Sequence, residues 1–216
     1  MRNFASQNQT LKQQMNQKFF TGAIAAVAFL LPNTAMGQKA DFNVIPMPQK
    51  VEVASAASPF VLNAKTCISI ANNSADMKRN ANMLAMYIEE QTGIRPVVGK
   101  AAKGAAAIVL SIDKSVKNAE GYKINVANSN ITISGSTAAG VFYGIQTLRK
   151  SLPVVKGTAS QVEIPAVNIS DAPRFAYRGT HLDVSRHFVS ADSIRQFIDM
   201  LALHNINRFH WHLTDD

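Results

Sequence analysis

The chain has 216 residues, 47% of them hydrophobic and 17% charged, a balance that supports a buried core and excludes a disordered or fibrous chain. Its net charge of +8 does not mark a nucleic-acid binder: Arg2, Lys12 and Lys18 fall in a first stretch of 37 residues without Asp or Glu, and the remainder carries +5. The other Lys and Arg residues are scattered with few aromatics between them, the pattern of a solvated surface.

The first element in chain order is the apolar run FFTGAIAAVAFLL, Phe19 to Leu31, which follows Lys18 and leads into Pro32, Ala35 and Gly37. A positive start, a short apolar middle and small residues at the end make residues 1–37 a secretory signal peptide, with cleavage expected after Gly37. The run is short of the roughly 20 residues that span a bilayer; the competing reading is a buried core helix. Met15 opens a more usual leader, MNQKFF, and is an alternative start. Cys67 is the single cysteine, so no internal disulfide forms, and none sits at the cleavage site to take a lipid. An exported protein, periplasmic or extracellular, with no stable membrane anchor is expected.

Residues 38–171 alternate short β-like runs with two helical patterns. VIPMPQKVEVA and CISI precede a helix near Ser74 to Gln91, which places Met77, Ala81, Leu84 and Ile88 at helical spacing before the stop signal Gly93. AIVLSI follows, then YKINVANSNITIS, where Ile124, Val126, Ile131 and Ile133 alternate with polar residues around Asn128, Ser129 and Asn130, the pattern of a hairpin. A second helix, AAGVFYGIQTLRKSL, carries Val141, Ile145 and Leu148 on one face and ends before Pro153. Strands with helices on one face predict an α+β layer. Nothing in it gathers catalytic residue types.

A new texture starts near Asp171-Ala172-Pro173. YRGTHLDV reads as a strand, Ser190 as the N-cap of a helix with the stripe Ile194, Phe197, Ile198, Leu201 and Ala202, and NRFHWHL as a second strand after Asn205. Strand, helix and strand make one βαβ unit, with parallel strands and a right-handed crossover.

Parallel strands put their carboxyl ends on one rim, where α/β barrels hold their ligands. Ser185-Arg186-His187 follow the first strand and Thr214-Asp215-Asp216 the second, so Arg186 and Asp215 are expected to meet there. A fork of N–H donors facing carboxylate acceptors suits a hydroxyl-rich ligand such as a sugar, or else is a structural ion pair at a strand end. Asp215 and Asp216 do not form a glycosidase acid pair, because neighbours on a strand point apart. His210 and His212 share a strand face opposite Phe209, Trp211 and Leu213. A His-x-His pair with Asp215 could hold zinc, as in a metal-dependent barrel hydrolase; the alternative is a supporting role by hydrogen bonding inside a barrel.

Taken together, PRFAYRG, LDVSRHF and FHWHLTDD make residues 171–216 resemble the start of the catalytic barrel of glycoside hydrolase family 20, the β-N-acetylhexosaminidases. IPMPQKV and GVFYGIQTLRKSLP resemble, more loosely, the accessory domain that precedes this barrel in bacterial members. The resemblance implies a signal peptide (1–37), an accessory α+β domain (38–171) and the first βαβ unit of a truncated (β/α)8 TIM barrel (172–216). It implies an exported exo-enzyme acting on N-acetylhexosamine-containing glycans with retention of configuration, without cofactor or metal, whose nucleophile is the substrate's own acetamido oxygen. It implies that Arg186 and Asp215 bind the terminal sugar and that His210 and His212 support the barrel wall.

The family's acid and its acetamido-orienting partner are an adjacent Asp-Glu in a Gly-Gly-Asp-Glu context, and this chain contains no such element. A barrel of this type takes about 250 residues. The expectation is therefore an amino-terminal fragment, inactive by itself, which could alternatively serve as a non-catalytic glycan-binding module.

Overall fold

The computed structural model describes residues 38–101 and 104–214; the expected signal peptide, Asp215 and Asp216 lie outside them. Two helices and most of the strands build the α+β layer that the sequence predicts. Helix α1 (Ala75–Thr92) starts where the Ser74 hydroxyl accepts the Met77 N–H, and ends at Gly93, whose φ of 71° only glycine adopts without strain. Its apolar face is the expected one, with Met77, Ala81, Leu84 and Ile88 all buried. Helix α2 (Ala138–Ser151), capped by Thr137, buries Val141, Ile145 and Leu148.

Both helices cover one face of a seven-stranded sheet. Its members are β2 (Lys50–Val53), β4 (Cys67–Ile70), β5 (Val97–Val98), β6 (Ala107–Ile112), β7 (Tyr122–Val126), β8 (Asn130–Gly135) and β10 (Val167–Asp171). The spatial order is β2-β10-β7-β8-β6-β4-β5. From β2 to β8 the neighbours run antiparallel, and from β8 to β5 they run parallel. The expected hairpin is β7 and β8, and β7 alternates in burial along its whole length: Tyr122, Ile124 and Val126 point into the core while Lys123 and Asn125 face solvent.

Three features depart from the sequence reading. In VIPMPQKVEVA only the last residues form a strand, an exposed edge, because Pro46 and Pro48 have no N–H to give a ladder. A second, three-stranded sheet, β1 (Gln38–Lys39), β9 (Gln161–Ile164) and β3 (Phe60–Asn63), escapes the sequence reading because its pairs join segments about a hundred residues apart. It nevertheless buries Phe60, Leu62, Val162 and Ile164 completely. Strand β10 was likewise not expected.

The βαβ unit appears as read: β11 (Gly179–Asp183), α3 (Ala191–Leu203) with its Ser190 N-cap, and β12 (Arg208–His212), the two strands parallel. Asn205, expected to end the helix, lies just past it at a φ of 60°. The α3 stripe is only partly covered. Ile194 is buried, Phe197, Leu201 and Ala202 are half-buried and Ile198 is exposed, since a two-stranded sheet offers too narrow a surface for a three-turn helix. Among the described residues no helix is long and apolar enough to cross a membrane.

One carboxylate joins the layer to the βαβ unit. Glu120, just before β7, accepts from Arg178 Nη1 at 2.9 Å, Asn207 Nδ2 at 3.0 Å and Tyr143 Oη at 3.2 Å. Arg178 also donates through Nε to the Asn205 carbonyl and through Nη1 to that of Phe175, while Asn207 Oδ1 receives the Arg178 backbone N–H. Nearby, Asp171 accepts from Tyr122 Oη at 2.8 Å and from the Gln49 N–H, and so pins the exit from β10. Helix α2 can approach this corner only because Gly140 is glycine: a Cβ there would stand 2.3 Å from the Gly121 carbonyl oxygen.

Burial, the largest influence on Glu120, pushes its carboxyl up, but the donated hydrogen bonds from Arg178, Asn207 and Tyr143 with the Arg178 charge bring the net below the ordinary range. The folded chain thus holds that proton less tightly than the unfolded one. The contribution is complete above the unfolded value of about 4.3 and is lost as pH falls through the lower folded value. Glu120→Ala should cost about 2 kcal/mol, the worth of hydrogen bonds to a charged group, in urea unfolding at neutral pH. The deficit relative to the unsubstituted chain should shrink as the titration is repeated below that window; a cost independent of pH would exclude the ionised network.

Candidate functional site

The register of the two parallel strands, from Gly179 opposite Arg208 to Asp183 opposite His212, divides the βαβ unit into two chemically different faces. On one, Phe209 packs on Phe197 of α3 with ring centroids 5.5 Å apart, and Trp211 stacks on Phe209 at 6.1 Å. These apolar contacts fix the strands against the helix. On the other, His181 and His210 lie side by side, centroids 4.7 Å apart, with His212 at 5.9 Å from the first and 6.2 Å from the second.

The carboxyl ends of β11 and β12 share a rim, and Arg186 stands just past the first, as expected. Its guanidinium is held by the Asp183 carboxylate through Nη1 and Oδ2. The other Asp183 oxygen accepts the backbone N–H groups of Ser185 at 3.0 Å and Arg186 at 3.2 Å, which bends the chain back over the strand end. Those bonds hold the Asp183 carboxyl below the usual range. The Arg186 N–H contributes most; burial opposes it, and the Ser185 N–H and the Arg186 side chain add to it. With 69% of its side chain exposed against 20% for Asp183, the arginine stands at the rim on a base fixed by that carboxylate.

Asp215, expected to face Arg186, lies outside the described residues; among those described, Asp183 is a carboxylate partner of the arginine. The spacing Asp-x-x-Arg in LDVSRH is the local signal of that pairing. His210 and His212 share a face, as the alternation requires, but His181 joins them, which only the strand register could tell. A hollow of about 620 Å³ lies elsewhere, at the junction with the α+β layer, lined by Tyr122, Tyr143, Asp171, Arg174 and Arg178 among others, and includes none of the rim residues.

Comparison with known proteins places this geometry. Residues 41–172 match the glycosyl hydrolase family 20, domain 2, and residues 175–216 match the glycosyl hydrolase family 20, catalytic domain. A beta-hexosaminidase of Porphyromonas gingivalis is 34% identical over an alignment of 209 positions that covers 89% of this chain and 26% of that protein. A beta-N-acetylhexosaminidase of Cellulomonas fimi is 33% identical over 82% of this chain and 35% of its own length. Among solved structures, the Streptomyces plicatus N-acetyl-beta-hexosaminidase in complex with Thio-NAglucal superposes with a TM-score of 0.70 at 34% identity, covering 80% of this chain and 34% of that one. The chain therefore spans about a quarter to a third of the length of these relatives.

The clamp on Arg186 has a direct readout. Followed by carbon-13 NMR, the Asp183 carboxyl should titrate below the roughly 3.9 of an unperturbed aspartate. In Arg186→Ala its midpoint should rise toward that value while remaining below it, because the backbone N–H bonds persist. An unshifted midpoint in the unsubstituted chain would remove the clamp.

Proposed function

Since this chain belongs to glycoside hydrolase family 20, we propose that it forms the amino-terminal part of an exported β-N-acetylhexosaminidase that removes terminal non-reducing N-acetylhexosamine from glycans, and that Arg186 binds the hydroxyls of that sugar. The observation that supports this most directly is the Asp183 clamp. It presents a guanidinium at the carboxyl-end rim of a parallel strand pair, the position where a (β/α)8 barrel binds its ligand. The donors of a guanidinium are fixed in one plane, and holding the side chain in advance spares part of the ordering cost of gripping a sugar. Asp215, which follows β12 in the sequence, is assigned to the same sugar.

In this reading the acetamido oxygen of the substrate attacks its own anomeric carbon, so the chain supplies no nucleophile. The leaving oxygen needs a proton from an acid, and the acetamido group needs a partner to orient it; the Asp-Glu pair that does both in the family is not among these 216 residues. Residues 172–216 supply the wall that grips the sugar, and the α+β layer carries that wall through the Glu120 network. Export rests on the leader pattern of residues 1–37, with its Lys18 start and its Phe19 to Leu31 apolar run.

Two measurements on an aryl N-acetyl-β-glucosaminide test the proposal. The 216-residue chain alone should release no aryl group, and metal-independent turnover by it would contradict the assignment of the acid to residues outside it. In the complete reading frame, Arg186→Ala should lower kcat/KM by about 10- to 100-fold, the worth of one or two hydrogen bonds to a charged donor. An unchanged kcat/KM would remove Arg186 from the sugar site.

A further inference from the structure

The imidazoles of His181, His210 and His212 converge on the face of the β11–β12 pair that α3 does not cover. One ring nitrogen of each lies within 4.8 Å of the others. We propose that these three histidines bind one divalent transition-metal ion of the zinc class.

The argument begins with register. His181 and His210 are direct partners across parallel strands, and His212 follows His210 by one pleat, so all three side chains leave the same face. Three nitrogens around zinc, each at about 2.0–2.1 Å in tetrahedral arrangement, stand about 3.4 Å apart. Closing from 4.8 Å to that spacing asks for side-chain rotation, and His181 and His210 are exposed and His212 is only half-buried. The strands themselves do not have to move. They are backed by the Phe197, Phe209 and Trp211 contacts on the opposite face, which keep the donors near one another before any ion arrives.

The donor set selects the ion. Among the described residues the donors are three imidazoles, which suit zinc, copper or nickel and are a poor match for calcium or magnesium, which take oxygen ligands. Asp183, the nearest carboxylate along β11, is engaged by Arg186 and by two backbone N–H groups, and stays with them. Three protein ligands leave at least one coordination position for water. The bound ion links β11 to β12 and stabilises the folded chain, which binds it where the unfolded chain has no preformed site. This role is separate from sugar hydrolysis and does not depend on it.

The full chain, prepared without a polyhistidine tag, is titrated with zinc chloride by calorimetry, and its thermal unfolding is followed with and without zinc. One equivalent should bind, and Tm should rise with zinc concentration. His181→Ala and His210→Ala should each weaken binding by more than the roughly 10- to 100-fold that loss of an outer-shell partner costs a metal site, and the pair together should abolish the Tm shift. His204→Ala, at the end of α3, should bind as the unsubstituted chain does. Cobalt(II) added to the unsubstituted chain should give the visible absorption of a four-coordinate site with three nitrogen ligands, a readout that needs no variant to fold. No zinc heat and no Tm shift in the intact chain, or equal affinity in the His181→Ala/His210→Ala double variant, overturns the proposal.

Discussion

The Glu120 carboxylate is the contact on which the arrangement of the site depends. It draws together three segments that are far apart in sequence: the turn before β7, helix α2 through Tyr143, and both strands of the βαβ unit through Arg178 and Asn207. A two-stranded parallel sheet with one helix buries very little, and Ile194 is the only residue of α3 fully out of water. Such a unit has little stability of its own. The hydrogen bonds to Glu120, with the Asn205 and Phe175 carbonyls that Arg178 also engages, supply a directional attachment where apolar burial is thin.

Behind that attachment the α+β layer is a conventional core. Helices α1 and α2 close one face of the sheet with aliphatic side chains, and the second, smaller sheet adds Phe60, Leu62, Val162 and Ile164 to it. The opposite face of β7 and β10 is polar, with Lys123, Asn125, Asn168 and Ser170 in water. The layer thus gathers no chemistry of its own. Its part is to hold Glu120, Tyr143 and Asp171 where the following strands meet them.

On the βαβ unit, one strand pair does two jobs through its pleat. Alternate residues Phe209 and Trp211 face the helix, and the residues between them, His210 and His212, face away with His181. The rim above is shaped by a side chain turning back on its own backbone, Asp183 onto Ser185 and Arg186. A substitution at Asp183 therefore acts first on Arg186, whose guanidinium it holds, while substitutions at His181 or His210 leave that clamp in place.

The sequence by itself determined everything that depends on local periodicity or on a motif. The α1 and α2 helices with their apolar faces, the β7–β8 hairpin, the βαβ unit, Arg186 at a strand end and the His-x-His alternation all follow from spacings of two or 3.6 residues and from capping residues a few positions away. Only the tertiary structure decided what depends on pairing across long stretches of chain. The β1-β9-β3 sheet, the junction of Glu120 with Arg178 and Asn207, and the addition of His181 to the histidine pair are set by strand register and docking, which no local pattern encodes. Asp183 falls between the two: its spacing from Arg186 was visible, but that it clamps the arginine follows only from the turn that brings both side chains to one rim.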